Sequence, residues 1–342
     1  CDNTKNFIRV LFVDFSKAFD LTDHEILYKK FIECHFPPHL SAWSLSFLEG
    51  RKQFVKVGNW TSSILSTKCG APQGTLAGPN VVKLLSNDLR FNLPYVKYVD
   101  DLSLASISTD PNDCALQEAV NQLGHWCCLN GMCLNTRKTK EMLIHFGKRC
   151  DKDAISSIHV DGSTLERVET FKLLGVYLSS DMNWSVHIDY IVLKAAKRFF
   201  VISQRVRSGV DKTDIVLVYC AIIRSVLEYA CQVWHCGLTK TQACEVENVQ
   251  SRCLRIIYPA LSYADALSVT GLERLDDRRE RMVHELFNEV KGPGHALNKL
   301  LSVYAVDSNK PVTRDTYPYK MPIARTARLG RSFIAYCINK RM

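Results

Sequence analysis

Apolar positions fall into three rhythms along the chain. Val10 to Val13 form an unbroken apolar run that stops at Asp14, the pattern of a strand buried on both faces. Downstream, Thr22-x-x-Glu25 precedes Ile26 and Leu27. That capping-box spacing predicts a helix starting near Asp23, and it makes Asp23 and His24 first-turn helix residues rather than a catalytic pair. The segment CGAPQGTLAGPN, residues 69–80, crowds Gly70, Gly74, Gly78, Pro72 and Pro79 together before VVKLLSNDL takes up a helical spacing. Glycines there let the backbone approach another group, with Gln73 held so that its amide points outward. YVKYVDDLSLA, residues 95–105, reads as a buried hairpin interrupted by Asp100 and Asp101. Taken alone, the pair is equally well explained as a corner between two strands, since Asp favours turns.

The second half changes period. Asp161-Gly162 between the alternating residues of IHVDGSTLERV predicts a hairpin. Ile188, Ile191, Ala195, Phe199 and Ile202 then recur at three- and four-residue spacing, an apolar helical stripe facing a core. Lys194, Lys197, Arg198 and Arg205 share the adjacent face. IVLVYCAIIRSVLEYACQVW, residues 215–234, reads as one buried helix, because Arg224 and Glu228 interrupt it and no stretch approaches the ~18 uninterrupted apolar residues of a membrane span.

Composition is that of a globular protein: 342 residues, 46% hydrophobic and 23% charged, enough for two or three domains with their own cores. The net charge of +9 is unevenly placed. From Lys310 to Met342, eight Lys and Arg (Lys310, Arg314, Lys320, Arg325, Arg328, Arg331, Lys340, Arg341) face one acid, Asp315. With Tyr317, Tyr319 and Phe333 among them, that segment suits a phosphate backbone as well as a solvated tail. Fourteen cysteines contain no C-x-x-C pair, which fits neither a disulfide scaffold nor a standard zinc spacing. Cys220, Cys231, Cys236, Cys244 and Cys253 with His235 invite a zinc reading, but their spacings match no zinc knuckle. Reduced thiols and the lack of a leader pattern point to a cytoplasmic or nuclear protein that is not secreted.

Asp14, Asp100 and Asp101 at the ends of two buried strands would repel one another without compensation, and hard Mg²⁺ takes oxygen ligands of this kind. Two such ions roughly 3.5–4 Å apart activate an attacking 3′-hydroxyl and stabilise a departing pyrophosphate. The chemistry suggested is nucleotidyl transfer.

FVDFSKAFD, GAPQGTLAGP and YVDD, in that order and at this separation, resemble motifs A, B and C of reverse transcriptases, and the flanking FSKAFD…DH, GTLAGP…NDL and FKLLGVYL…W resemble the LINE-type, non-LTR retrotransposon branch near the Jockey and chicken-repeat clades. The resemblance runs from about residue 9 to the C-terminus. It implies an α+β fold: a right-hand palm built on an RRM-like antiparallel sheet with helices (residues 1–180), a mostly helical thumb-like or connecting region (181–270), and a basic C-terminal region (271–342). Only thirteen residues precede Asp14, so the expectation is an N-terminally truncated fragment without fingers or endonuclease, which by itself binds template-primer and polymerises poorly or not at all.

By the same resemblance Asp14 and Asp100 are direct ligands of two Mg²⁺ ions, with Mn²⁺ as a substitute, Asp101 beside them and the Phe15 carbonyl alongside Asp14. Phe19 takes the steric-gate position, where an apolar ring leaves a ribose 2′-hydroxyl unpaired at ~1–3 kcal/mol. Gln73 and Gly74 contact the incoming deoxynucleotide, and Lys138 in LNTRKTKEMLIHF is the general acid toward the leaving pyrophosphate, with Arg137 and Lys140 as close rivals. FKLLGVYL, residues 171–178, is the motif E hairpin that holds the primer end. Lys194, Lys197, Arg198, Arg205, Arg325, Arg328 and Arg331 are the candidate phosphate-backbone contacts. The implied partners are an RNA template, a DNA primer and deoxynucleoside triphosphates, with no membrane. Asn80 and Lys83, where relatives carry an apolar residue, keep a second expectation open: a non-catalytic nucleic-acid-binding remnant of a decayed element.

Overall fold

The computed structural model describes residues 6–145, 154–301, 319–320 and 326–342; Lys310, Arg314 and Arg325 lie outside them. Contacts divide the chain into two compact units, residues 3–171 and 172–342.

The first unit is built on a five-stranded sheet. Its strands are β1 (Phe7–Val13), β2 (Tyr95–Tyr98), β3 (Asp101–Ser108), β4 (Lys140–His145) and β5 (Glu166–Arg167), in the order β5-β4-β1-β3-β2. β1 is central and antiparallel to both neighbours, with Val10 opposite Ala105 and Met142; only the β5–β4 edge pair is parallel. The unbroken apolar run arises because both faces of β1 are filled. Leu11 and Val13 join Leu102 and Leu104 in a core closed by Leu116, Val120 and Leu123 of a helix at Ala115–Leu129. Phe12 on the other face stacks on Phe171 at 4.0 Å. A fully buried leucine such as Leu104 contributes ~1.5–3 kcal/mol.

Arg9 shares the inner face and is 2% exposed, which the apolar pattern did not anticipate. Its charge is met by Glu141, 1% exposed, whose carboxylate accepts from Arg9 Nε at 2.7 Å and Arg167 Nε at 3.0 Å.

Helix α1 (His24–Glu33) starts where expected, but the cap is Asp23 rather than Thr22. Asp23 Oδ1 accepts from the backbone of Glu25 and Ile26 at 2.8 and 3.1 Å, while the Thr22 hydroxyl turns inward and donates to the Ala18 carbonyl at 3.0 Å. The carboxylate one residue nearer the helix takes the orphan amides. Leu27 and Phe31 of α1 pack with Leu48 of α2 (Pro38–Leu48) and Val81 of α3 (Ala77–Leu85), around Ala71 and Phe19. Lys83 and Asn80 face solvent on α3, while Val81, Val82 and Leu85 are buried. A polar residue there costs the fold nothing, so the decay expectation loses that support.

Asp161 and Gly162 occupy a tight turn at φ 47° and 75°, joining His159–Val160 to Ser163–Thr164. Thr170–Leu173 and Val176–Ser179 pair likewise around Leu174 and Gly175.

Beyond the Val176–Ser179 strand, the second unit is mostly helical among its described residues. Ile188, Ile191, Ala195 and Ile202 are buried as predicted, against Val246, Val249, Cys253 and Leu254 of a long helix, Lys240–Ile257. The stripe belongs to two helices, Ser185–Ala196 and Phe199–Arg207. Residues 215–234 are not one helix. A helix over Lys212–Tyr219 passes into a π turn at Cys220–Arg224, and Ala230 at φ 51° then breaks the chain. Two interactions hold this irregularity: the Arg198 guanidinium donates to the Ile222 carbonyl, and Trp234 Nε1 donates to the Tyr229 carbonyl at 3.0 Å. Cys231 and Cys253 pack in this core and Cys236 in a separate cluster with Cys337, while Cys244 is exposed. Among the described residues, no helix is long and apolar enough to cross a membrane.

Candidate active site

Sheet register brings the three candidate carboxylates to one end of the first unit. Val13 pairs with Leu102, so Asp14 follows at the end of β1 beside Asp101 at the start of β3. Tyr98 pairs with Asp101, leaving Val99 and Asp100 as a two-residue turn. Val99 lies at φ 58°. A β-branched residue in the left-handed region is strained by ~1–3 kcal/mol, and such strain persists where the surrounding structure over-determines it.

The Asp101 carboxyl is raised above its ordinary value, first by partial desolvation and then by the charges of Asp100 and Asp14. All three groups are therefore within electrostatic reach. Their oxygens are the hard donors a divalent cation takes, and a cation would relieve this crowding. As the side chains stand, no three His, Cys, Asp or Glu among the described residues converge on one ion position.

Residues not singled out by sequence set the Asp14 backbone. Its N–H donates to the buried Thr139 hydroxyl at 3.2 Å, and its carbonyl accepts from Asn135 N–H at 2.8 Å. Phe15 bridges to Leu134, and its ring meets Trp126 edge-on at 6.2 Å. The loop from Asn135 to Thr139 thus ties Asp14 to Lys138, which is exposed.

The glycine-rich loop is laced to the segment after β1. Gly70 N–H donates to the Thr22 carbonyl and Ala71 N–H to the Phe19 carbonyl, at 2.7 and 2.6 Å. A Cβ on Gly70 would stand 2.9 Å from the Asp20 carbonyl, and one on Gly78 2.5 Å from the Pro72 carbonyl; this is the close approach the glycines permit. Gly74 has open space around it, and its requirement is φ 75°. The exposed Gln73 side chain donates to Asp20 Oδ1 at 3.3 Å. The Gly70 carbonyl accepts from the Arg51 guanidinium and meets His24 Nε2 at 2.9 Å. Arg51 carried no signal in sequence, and Asp20, though it ends FVDFSKAFD, was given no role there; their contacts close only in the fold.

The nucleic-acid candidates divide. Lys194, Lys197, Arg205, Arg328 and Arg331 are exposed. Arg198 is half-buried, with its guanidinium engaged by the Ile222 carbonyl.

Residues 1–178 match the family profile described as reverse transcriptase (RNA-dependent DNA polymerase). Over 323 residues the chain is 24% identical to the RNA-directed DNA polymerase from mobile element jockey of Drosophila melanogaster, covering 89% of this chain and 34% of that protein. It is also 24% identical to the probable RNA-directed DNA polymerase from transposon X-element of the same organism, covering 75% and 29%. The chain thus spans about a third of the length of these relatives. Among solved structures, telomerase from Candida tropicalis in complex with a telomeric RNA fragment aligns at 11% identity over 87% of this chain and 49% of that one, with a TM-score of 0.40, too distant to carry an argument. The profile match covers more than half of the chain, and the protein belongs to the reverse transcriptase (RNA-dependent DNA polymerase) family, with Jockey and other non-LTR retrotransposon polymerases among its relatives.

Proposed function

We infer that this chain is the polymerase portion of a non-LTR retrotransposon reverse transcriptase, adding deoxynucleotides to a DNA primer on an RNA template. The observation that carries this reading is the register that sets Asp14 beside Asp101, with Asp100 in the strained turn between β2 and β3, in a chain of this family. Asp14, Asp100 and Asp101, joined by the Phe15 carbonyl, would hold two Mg²⁺ ions, for which Mn²⁺ would substitute. The ions supply charge neutralisation for a 3′-hydroxyl nucleophile and a pyrophosphate leaving group.

The chain's own groups do the rest. Gln73, steadied by Asp20, presents its amide to the incoming nucleotide beside Gly74. The Phe19 ring, packed against the Leu27–Val81 cluster, leaves a 2′-hydroxyl without a partner and so disfavours ribonucleotides. Lys138 protonates the leaving group from the loop that fixes Asp14. Lys194, Lys197, Arg205, Arg328 and Arg331 meet backbone phosphates, and Arg198 supports them from its contact with Ile222. In this reading, residues 1–180 form the palm, 181–270 a thumb-like region and 271–342 a basic C-terminal region. A second reading is a remnant that binds nucleic acid without turnover.

Single-nucleotide incorporation on an RNA template separates the two. Wild type takes dNTPs over rNTPs, and Phe19→Val narrows that preference by about tenfold or more, equivalent to ~1.4 kcal/mol of lost discrimination. A wild type that incorporates neither, or both equally, refutes the first reading.

A further inference from the structure

The ribbon between α2 and the Gly70 loop has no role in the catalytic reading. Lys52–Gln53 pairs with Leu65–Ser66, and Lys56–Val57 pairs with Trp60–Thr61 around Gly58 and Asn59. Every residue from 52 to 66 is exposed, so the ribbon buries neither face, and a two-stranded hairpin with no partner is marginally stable in water.

Strand alternation divides it. Register sets Leu65 opposite Gln53 and Trp60 opposite Val57, and alternation along the extended strand puts Val55 on the face of Gln53 and Val57. Ser66 lies opposite Lys52 and Thr61 opposite Lys56, and alternation along the extended strand puts Lys52, Phe54 and Lys56 on the other face. At a rise of ~3.3 Å per residue the two ammonium groups branch from points ~13 Å apart, with the Phe54 ring midway. Phe54 is 55% exposed. From Arg51 to Cys69 the segment holds four basic side chains, Arg51, Lys52, Lys56 and Lys68, and no acidic one. Among the described residues neither Lys52 nor Lys56 has an ion-pair partner.

A flat aromatic ring between two unpaired cations, on a strip without acids, is complementary to a polyanion that also offers a flat ring. Single-stranded nucleic acid is such a ligand: a base stacks on the aromatic while the flanking phosphates meet the cations. A blunt duplex keeps its bases stacked on each other and offers Phe54 no free face. The strip is also anchored beside the loop that carries Gln73, because Thr67 N–H donates to the Arg51 carbonyl and the Arg51 guanidinium donates to the Gly70 carbonyl.

We propose that the Lys52–Phe54–Lys56 face binds single-stranded RNA, as the unpaired template on its way to the Gln73 loop; the word template rests on the polymerase reading above. The test is fluorescence anisotropy of the full chain with a labelled polyuridylate of about twelve nucleotides, within the usual site size for single strands, and with a blunt RNA–DNA duplex as comparator. Phe54→Ala weakens polyuridylate binding by about five- to hundredfold, the range of one lost base stack. Lys52→Ala/Lys56→Ala lowers the salt slope by about 1.4, at ~0.7 per phosphate contact. Duplex affinity stays at the wild-type level in both. Trp60→Ala, on the opposite face of the same ribbon, keeps wild-type polyuridylate affinity, which separates a lost contact from a lost hairpin.

Polyuridylate binding that is absent in wild type, unchanged in Phe54→Ala, or lost as strongly in Trp60→Ala would overturn the proposal. Nucleotide incorporation is measured on the same preparations. Phe54-dependent binding by a wild type that incorporates nothing upholds the RNA-binding face while sinking the polymerase reading, and incorporation with Phe54-independent binding does the reverse.

Discussion

His187 should make the second unit acid-sensitive. It is 1% exposed, packed 5.5 Å from the Trp234 ring and 6.3 Å from Trp184. Its Nδ1 accepts the Tyr177 backbone N–H at 3.3 Å, which puts the neutral ring's proton on Nε2, and Nε2 has no partner. Burial first, and the Lys172 charge second, push its pKa down to about 4. An unfolded histidine has pKa ~6.5. The folded value is the lower one, so between about pH 6.5 and about pH 4 the unfolded chain binds a proton that the folded chain refuses. Stability is therefore complete above about pH 6.5 and is lost as pH falls. From these two values the loss is about 2 kcal/mol at about pH 5 and approaches about 3 kcal/mol below about pH 4, at 1.36 kcal/mol per pKa unit. Other groups titrate over the same range, so the quantity to read is a difference: urea unfolding of wild type and His187→Phe at about pH 7.5, 6 and 5. The variant loses some stability at all pH values through the unpaired Tyr177 N–H, but its stability falls less with acid, by about 2 kcal/mol at about pH 5. Parallel pH profiles for the two proteins would refute the argument.

Three further substitutions test the first unit. Glu141→Ala strands the 2%-exposed Arg9 without its counter-charge and should cost ~3–5 kcal/mol in denaturant unfolding; a loss under about 1 kcal/mol would contradict a buried ionic role. Gly70→Ala forces a Cβ to 2.9 Å from the Asp20 carbonyl at φ 90°. With strain of ~1–3 kcal/mol displacing the Gln73 loop, KM for dNTP should rise about five- to hundredfold while primer–template affinity holds. Thr139→Val keeps shape but removes the acceptor of the Asp14 N–H. Single-turnover incorporation should fall by about five- to hundredfold, for ~1–3 kcal/mol of lost pairing, and Thr139→Ser should restore it.

Sequence read best where one residue carries both its identity and its geometry. In the run from Val10 to Val13 the pattern stated the burial of Leu11, Phe12 and Val13 on both sheet faces, while Val10 is only half-buried. Asp161-Gly162 stated its turn, since both residues sit at positive φ. The three aspartates could be placed at strand ends and a turn because those are local features; their meeting was implied by the motif resemblance, and the register that sets Asp14 beside Asp101 came only from the fold. Features made by partners distant in sequence stayed hidden. Arg9 looked like an ordinary flanking residue until Glu141 of β4, which it shares with Arg167 of β5, met its charge. Thr22 and Glu25 matched a capping box, but Asp23 competed for the same amides and won. The break at Ala230 inside an apolar stretch depends on where Trp234 and Tyr229 find their partners, which helical periodicity does not encode. Lys83 looked anomalous only until α3 turned it to solvent.

The central claim is that Asp14, Asp100 and Asp101 act together on a divalent cation in nucleotidyl transfer. Its most direct test is Mg²⁺-dependent extension of a DNA primer on an RNA template by the wild-type chain and by Asp100→Asn/Asp101→Asn, with template–primer binding measured on both. The account predicts metal-dependent dNTP incorporation by wild type, abolished in the variant while binding persists. Tight binding without incorporation by wild type, or incorporation that survives loss of both aspartates, would contradict it.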